Sequence, residues 1–167
     1  MKNLLFIISA TFLLNILSCS EVECPLDSTV VMTCGIYDAD SKKSHSINPT
    51  LTIKPSGKDT VLLNSARNID SFVLPLKMGE TCDTMLLNFT DEWGSESTDT
   101  LFVYHENMPH FESVECPGAI FHKLTRVIFN TSNDTQLPIK IDSVAIVRDL
   151  VDYYNVENVQ IYLRIGV

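Results

Sequence analysis

The chain has 167 residues, of which 45% are hydrophobic and 20% charged, and a formal net charge of −9. That acidic balance excludes nucleic-acid binding, which needs clustered Lys and Arg to neutralise phosphates. It equally excludes docking on an anionic lipid surface by charge alone.

The opening, MKNLLFIISATFLLNILSC, places one cation, Lys2, before an apolar run from Leu4 to Leu17 that Asn15 interrupts. This is the layout of a secretory signal over residues 1–18, too short for a comfortable bilayer span. The stretch from Ile16 to Cys19 (ILSC) resembles the lipobox of bacterial lipoproteins, in which the cysteine thiol receives lipid. Cleavage there leaves residues 19–23 as a lipidated tether and 24–167 as one folded domain. The mature chain is then 149 residues (167 − 18), a single-domain length, with a charge of −10 once Lys2 is gone. Two or three acyl chains on Cys19, palmitate among them, would attach the protein permanently, whereas one chain holds only marginally.

Beyond residue 24 the dominant pattern has period two. In STVVMTCGIYD, Val30, Met32, Cys34 and Ile36 share one face of a strand, with Val31, Thr33 and Tyr37 on the other. TLTIK, DTVLLN, SFVLPLK, DTMLLNFT, DTLFVYHE, LTRVIFNT, IKIDSVAIV and NVQIYLRI follow, separated by turn-prone stretches such as PSGKD, KMGET and DEWGSE. No segment shows a sustained helical period; VRDLVDYYN (147–155) is short and reads equally as a strand end with a loop. Strands at this spacing without helices predict an all-β domain, a single antiparallel β-sandwich of about eight or nine strands, Ig-like in general architecture. Pro75 cannot donate to a ladder, so its strand is expected at a sheet edge or to end there.

Trp93, the one tryptophan, sits at the tip of the hairpin DEWGSE. A residue there either stacks on a ligand or folds over the core as a rim residue, and the second, commoner fate is the expectation. The four histidines, His45, His105, His110 and His122, are scattered and read as surface residues. No CxxC or Cys/His spacing suits zinc, so neither a metal site nor a cofactor is expected.

Five tripeptides read Asp, then Ser or Thr, then Thr or an aliphatic, at 27, 59, 83, 99 and 142. Asp and Thr favour turn exits and strand starts, and the aliphatic begins the buried run. The pattern also resembles the O-glycosylation acceptor of Bacteroidetes exported proteins, which would make Ser28, Thr60, Thr84, Thr100 and Ser143 the acceptors.

With Cys19 lipidated, Cys24, Cys34, Cys82 and Cys116 remain, and four cysteines allow three pairings. Strand parity puts Cys34 on a core face and Cys82 on the opposite, less apolar face of its own strand, so these two are expected not to pair. The order of lipobox, ECPLD, GIYD, paired Asp-Thr-aliphatic strands, ECPGA, FHKLTRVIFNTSN and IKIDSVAIV resembles a family of small Bacteroidetes lipoproteins with a domain of unknown function. That resemblance implies a disulfide between Cys24 and Cys116, and it is silent about activity.

A nucleophile elbow, a Gly-rich phosphate loop and a zinc-protease helix are all absent. The expected function is therefore a non-catalytic binding or assembly module, held by its lipid in the outer membrane on the periplasmic side or the cell surface. Its expected partner is an envelope protein or glycan. A small envelope hydrolase using the loop carboxylates Asp91, Glu92 and Glu96 is the alternative.

Overall fold

The computed structural model describes residue 24 and residues 30–132 and 137–166. The expected signal over residues 1–18, the expected lipidation site Cys19 and the expected acceptor Ser28 lie outside the described residues. Within them the chain forms ten strands: β1 (Val31–Asp38), β2 (Thr50–Pro55), β3 (Leu63–Ala66), β4 (Ser71–Pro75) and β5 (Cys82–Thr90), then β6 (Glu96–His110), β7 (Ala119–Thr131), β8 (Ile139–Ile146), β9 (Leu150–Val151) and β10 (Glu157–Ile165). They make two packed sheets, one ordered β4-β1-β10-β8 and the other β3-β2-β5-β6-β7-β9.

The period-two pattern explains the packing. Met32, Cys34 and Ile36 of β1 face inward with Val159, Ile161 and Leu163 of β10, and meet Met85, Leu87, Phe89, Leu101 and Val103 from the facing sheet. Fully burying each such aliphatic contributes roughly 1.5–3 kcal/mol. Pro75 ends β4, and β4 is an edge strand, as a missing backbone donor requires. The strand expected over DTVLLN forms later, at Leu63–Ala66, and Val61 is exposed. β9 is a two-residue strand drawn from VRDLVDYYN.

One pairing departs from the antiparallel expectation. The first and last strands, β1 and β10, run parallel, with Ile36 opposite Ile161. The register slips between Thr33 and Cys34, which pair with Glu157 and Val159, leaving Asn158 as the extra residue. Its buried carboxamide repairs the break: Oδ1 accepts the Thr33 N–H at 3.1 Å, and Nδ2 donates to the carbonyls of Arg148 at 3.2 Å and Leu150 at 2.8 Å. Gly35 leaves room beside it for the Glu157 side chain. A Cβ there would displace the Glu157 carboxylate, which lies across the glycine to meet the Tyr37 hydroxyl.

The two sheets are also joined by polar contacts. Buried Asp99 of β6 accepts the Ile141 N–H of β8 at 2.6 Å, and Ser97 Oγ donates to the Ile139 carbonyl at 2.8 Å. These contacts align the start of β6 with the start of β8. The ends of the sandwich are thereby defined: the 91–95 hairpin lies at one, and the 111–118 turn between β6 and β7 lies at the other. β6 connects them over 15 residues, about 50 Å.

Cys24 is bonded to Cys116 in that far turn, across a sequence separation of 92. Cys34 and Cys82 are free, Cys34 buried and Cys82 half-buried, as their strand parity dictates. Burial, then the charge of Glu157, pushes the Cys34 thiol well above its ordinary value, so it behaves as a small core hydrophobe.

Closing a loop of this length constrains the unfolded chain by about 4 to 5 kcal/mol in the chain-entropy model. Cys24→Ser is therefore expected to lower the urea midpoint by a large fraction of the total and to raise the m-value, because the released unfolded chain exposes more surface. Equal midpoints for oxidised and reduced wild-type protein would contradict it.

Candidate functional site

Trp93 is 87% exposed, so it does not fold over the core as its place at a hairpin tip had led us to expect. The local sequence explains why. Asp91 Oδ1 accepts the N–H groups of Trp93 at 2.9 Å and Ser95 at 2.8 Å, and Gly94 takes the left-handed backbone (φ +83°) that closes the turn. The indole is thus carried outward, beyond the last paired residues Thr90 and Glu96. Partial burial would raise the Asp91 pKa, but the donors at Ser95 and Trp93 outweigh it and hold the carboxyl below the usual range.

Two concavities flank this hairpin and share Thr90. One, of about 260 Å³, is mainly apolar: Pro49, Leu137, Pro138 and Ile165 line it beside Trp93, with Arg67 at its margin. The other, of about 490 Å³, lies on the outer face of the six-stranded sheet and is polar. There Asn88 Nδ2 donates to Thr98 Oγ1 at 2.9 Å, and Thr90 Oγ1 donates to Asn88 Oδ1 at 2.9 Å. Lys54 and Glu96 complete that surface. An exposed, braced aromatic between an apolar groove and a hydroxyl- and amide-rich face is suited to recognition: the ring supplies contact area at low entropic cost, and the polar face supplies direction. Phe111 and Val114 are also exposed, but they lie in the far turn, at the Cys24 end.

The histidine expectation fails for two of the four. His45 is exposed and His110 half-exposed, but His105 and His122 are each only 2% exposed. The alternation that buries Leu101 and Val103 also buries His105; the phase of Leu124 buries His122, and that of Met85 buries Asp83. That parity was the available signal. A bulge between Tyr104 and His105 then sets His122 directly opposite Asn107.

The hydrogen-bond roles in this cluster follow from one fixed amide. Asn107 Nδ2 donates to the carbonyls of Met78 at 2.9 Å and Glu80 at 2.8 Å, so its Oδ1 faces His122 Nδ1, 2.7 Å away, as an acceptor. His122 Nδ1 must therefore carry hydrogen, and it lies 3.3 Å from His105 Nδ1. His105 Nε2 then donates to Asp83 Oδ2 at 3.0 Å. This is a carboxylate–imidazole pair whose second nitrogen is closed off by another ring rather than facing a substrate.

The expected O-glycosylation acceptors are placed unequally. Thr60 is on an exposed loop, whereas Thr84, Thr100 and Ser143 are half-buried within β5, β6 and β8. In two of these tripeptides the aspartate points inward to accept a backbone N–H: Asp83 from Lys77 at 3.0 Å, and Asp99 from Ile141. Asp142 instead meets Arg164 at 2.7 Å on the surface. Only Asp83 stands at a strand start; Asp99 and Asp142 lie inside β6 and β8 and Asp59 lies in the loop before β3, so the strand-start expectation holds for one of the four described sites.

Burial, then repulsion from His105, lowers the His122 pKa from 6.5 to about 4, against a smaller raising effect of Asp83. The unfolded chain consequently binds a proton that the folded protein refuses between those values. Stability should be level above pH 6.5 and fall as pH drops towards 4, by roughly 3 kcal/mol in all. His122→Asn, which keeps a donor for Asn107 but cannot titrate, should flatten this slope in pH-dependent urea melts. An unchanged slope would assign it to other groups.

The chain belongs to a family of unknown function, DUF6452, whose family model matches residues 50–163. The matched stretch runs from β2 into β10 and so includes the Trp93 hairpin, the buried histidines and Cys116. No curated protein and no solved structure matches the chain.

Proposed function

We propose that this DUF6452 member is a lipid-anchored lipoprotein of the bacterial cell envelope, of the Bacteroidetes type, held in the outer membrane through Cys19. In this reading the sandwich is a non-catalytic binding module, and the Trp93 hairpin meets an envelope protein or glycan. The observation that carries it is polarity along the long axis. Cys24, a few residues after the anchor, is bonded into the turn at one end, and the exposed tryptophan stands on a braced turn at the other. A tether at one end of a rigid body turns the opposite end towards partners.

The acids of the hairpin favour binding over hydrolysis. Asp91 is committed to closing the turn, and Glu96 lies 3.4 Å from the Asn88 amide. The Asp83–His105 pair is buried and capped by His122, so it has no open nitrogen to offer a substrate.

Two variants test the two halves of the proposal. Cys19→Ser should move the protein from the membrane fraction to the soluble envelope fraction of its native host. Trp93→Ala should stay in the membrane and keep its melting temperature, yet lose roughly 30-fold in affinity for the partner that cross-linking recovers with wild type, the effect of removing about 2 kcal/mol at an aromatic anchor. Retention of the partner at wild-type affinity would remove the hairpin from the binding site. The same tryptophan is the only one in the chain, so ligand-induced blue shifts of its emission report this end alone.

A further inference from the structure

Exposed apolar side chains gather at the Cys24 end of the sandwich. Val114, in the turn between β6 and β7, is fully exposed, and Phe111 of the same turn, Met78 and Tyr154 are each at least 70% exposed. Val156 follows on the connection into β10. Trp93 aside, every large hydrophobic side chain more than half exposed among the described residues lies at this end. The strand register explains the gathering. Asn107 holds the carbonyls of Met78 and Glu80 alongside it, and β6 and β7 stay paired past that level, out to His110 and Ala119. The turn therefore projects about 10 Å beyond Asn107. β9 runs antiparallel to β7, so the chain leaves Val151 towards the tip, where the Tyr153 and Phe121 ring centroids are 5.0 Å apart. The turn is braced: Ser113 Oγ accepts the Glu115 N–H at 3.2 Å, the Phe111 ring lies over Gly118, which has no side chain to displace it, and Cys116 is bonded to Cys24.

A patch of this kind marks a contact with a membrane or another protein. The path of the chain selects the membrane, and this step rests on the anchor proposed at Cys19. Cys19 precedes Cys24 by five residues (24 − 19), a reach of about 17 Å at full extension. Cys24 is bonded into the turn itself, so the turn stays within about that distance of the lipid. On so short a tether the local concentration of lipid is high, and a weak affinity keeps the contact occupied. A soluble partner or a second copy of the chain has no such advantage. Charge then selects the headgroup. Glu112 and Glu115, both exposed, flank Val114, so an anionic surface repels the turn, whereas the ammonium of a zwitterionic headgroup attracts it. We propose that the 111–118 turn docks on a zwitterionic phospholipid surface, with Phe111 and Val114 entering the boundary between headgroups and acyl chains and Tyr154 at headgroup level, where an amphipathic ring is favoured.

The acylated full chain, purified from its host membranes and reconstituted into phosphatidylcholine vesicles, tests this with tryptophan as the depth gauge. In Trp93→Phe combined with Val114→Trp, the single indole sits on the turn, at a fully exposed position where substitution disturbs no packing. Its emission should shift to the blue, and should fall by at least half when the acyl chains carry bromine near their headgroup end. Both effects should weaken when half the lipid is phosphatidylglycerol. Wild-type protein, with its indole at the opposite end, should show neither. Acylated, vesicle-bound protein with an unquenched turn would overturn the inference alone, and a blue shift without quenching would assign the cover to protein instead of lipid. Quenching equal at residues 93 and 114, or undiminished by phosphatidylglycerol, would overturn it too. Absence of acyl chains from Cys19, read from the mass of its peptide, would instead remove the anchor and this inference with it.

Discussion

The domain depends on the pairing of its first strand with its last. β1 and β10 lie side by side at the centre of the four-stranded sheet, so neither sheet nor core is complete until the whole chain is present. Such a contact closes a very long loop, and the entropy of that closure must be offset by what forms on contact. Here that is a parallel ladder, six buried side chains from the two strands, and Asn158, whose carboxamide fills the gap where the ladder slips. The Cys24–Cys116 bridge acts on the same problem by tying the start of the chain to the facing sheet.

Polar groups inside this core follow one rule: each is tied to a neighbouring segment. Asn158 ties β10 to β1 and to the carbonyls of Arg148 and Leu150, Asp99 ties β6 to β8, and Asp83 ties β5 to Lys77 and to His105. A satisfied buried polar group is close to neutral in energy, whereas one left without its partner is strongly unfavourable. These contacts therefore discriminate among packings more than they stabilise the chosen one. Thr33 Oγ1 and the second oxygen of each of Asp83 and Asp99 lie outside it.

The length of β6 and β7 sets the Cys24–Cys116 turn and the Trp93 hairpin at opposite ends of the sandwich. Rigid strands transmit position but little motion, so the lipid anchor we propose near Cys24 would fix where the Trp93 hairpin can reach without altering its shape. The hairpin is itself rigid, since its aspartate is spent on two backbone donors. An aromatic held in this way loses little further freedom on binding, which is the economy a recognition surface requires.

Alternation is a local property, and so the sequence alone determined what alternation encodes. The all-β class, the inward set Met32, Cys34 and Ile36, the opposite settings of Cys34 and Cys82, and the stop at Pro75 all follow from side chains pointing to opposite faces at each step. The buried phases of Asp83, His105 and His122 were legible in the same parity, although histidine composition argued for the surface. Their meeting was not, because it rests on cross-strand register and on a bulge at Tyr104–His105, which no short stretch records. The parallel β1–β10 pair, the outward swing of Trp93 and the unpartnered oxygen of Asp83 were likewise decided only by tertiary structure. Each depends on which distant backbone arrives alongside, and a strand's own sequence specifies its faces but not its neighbour.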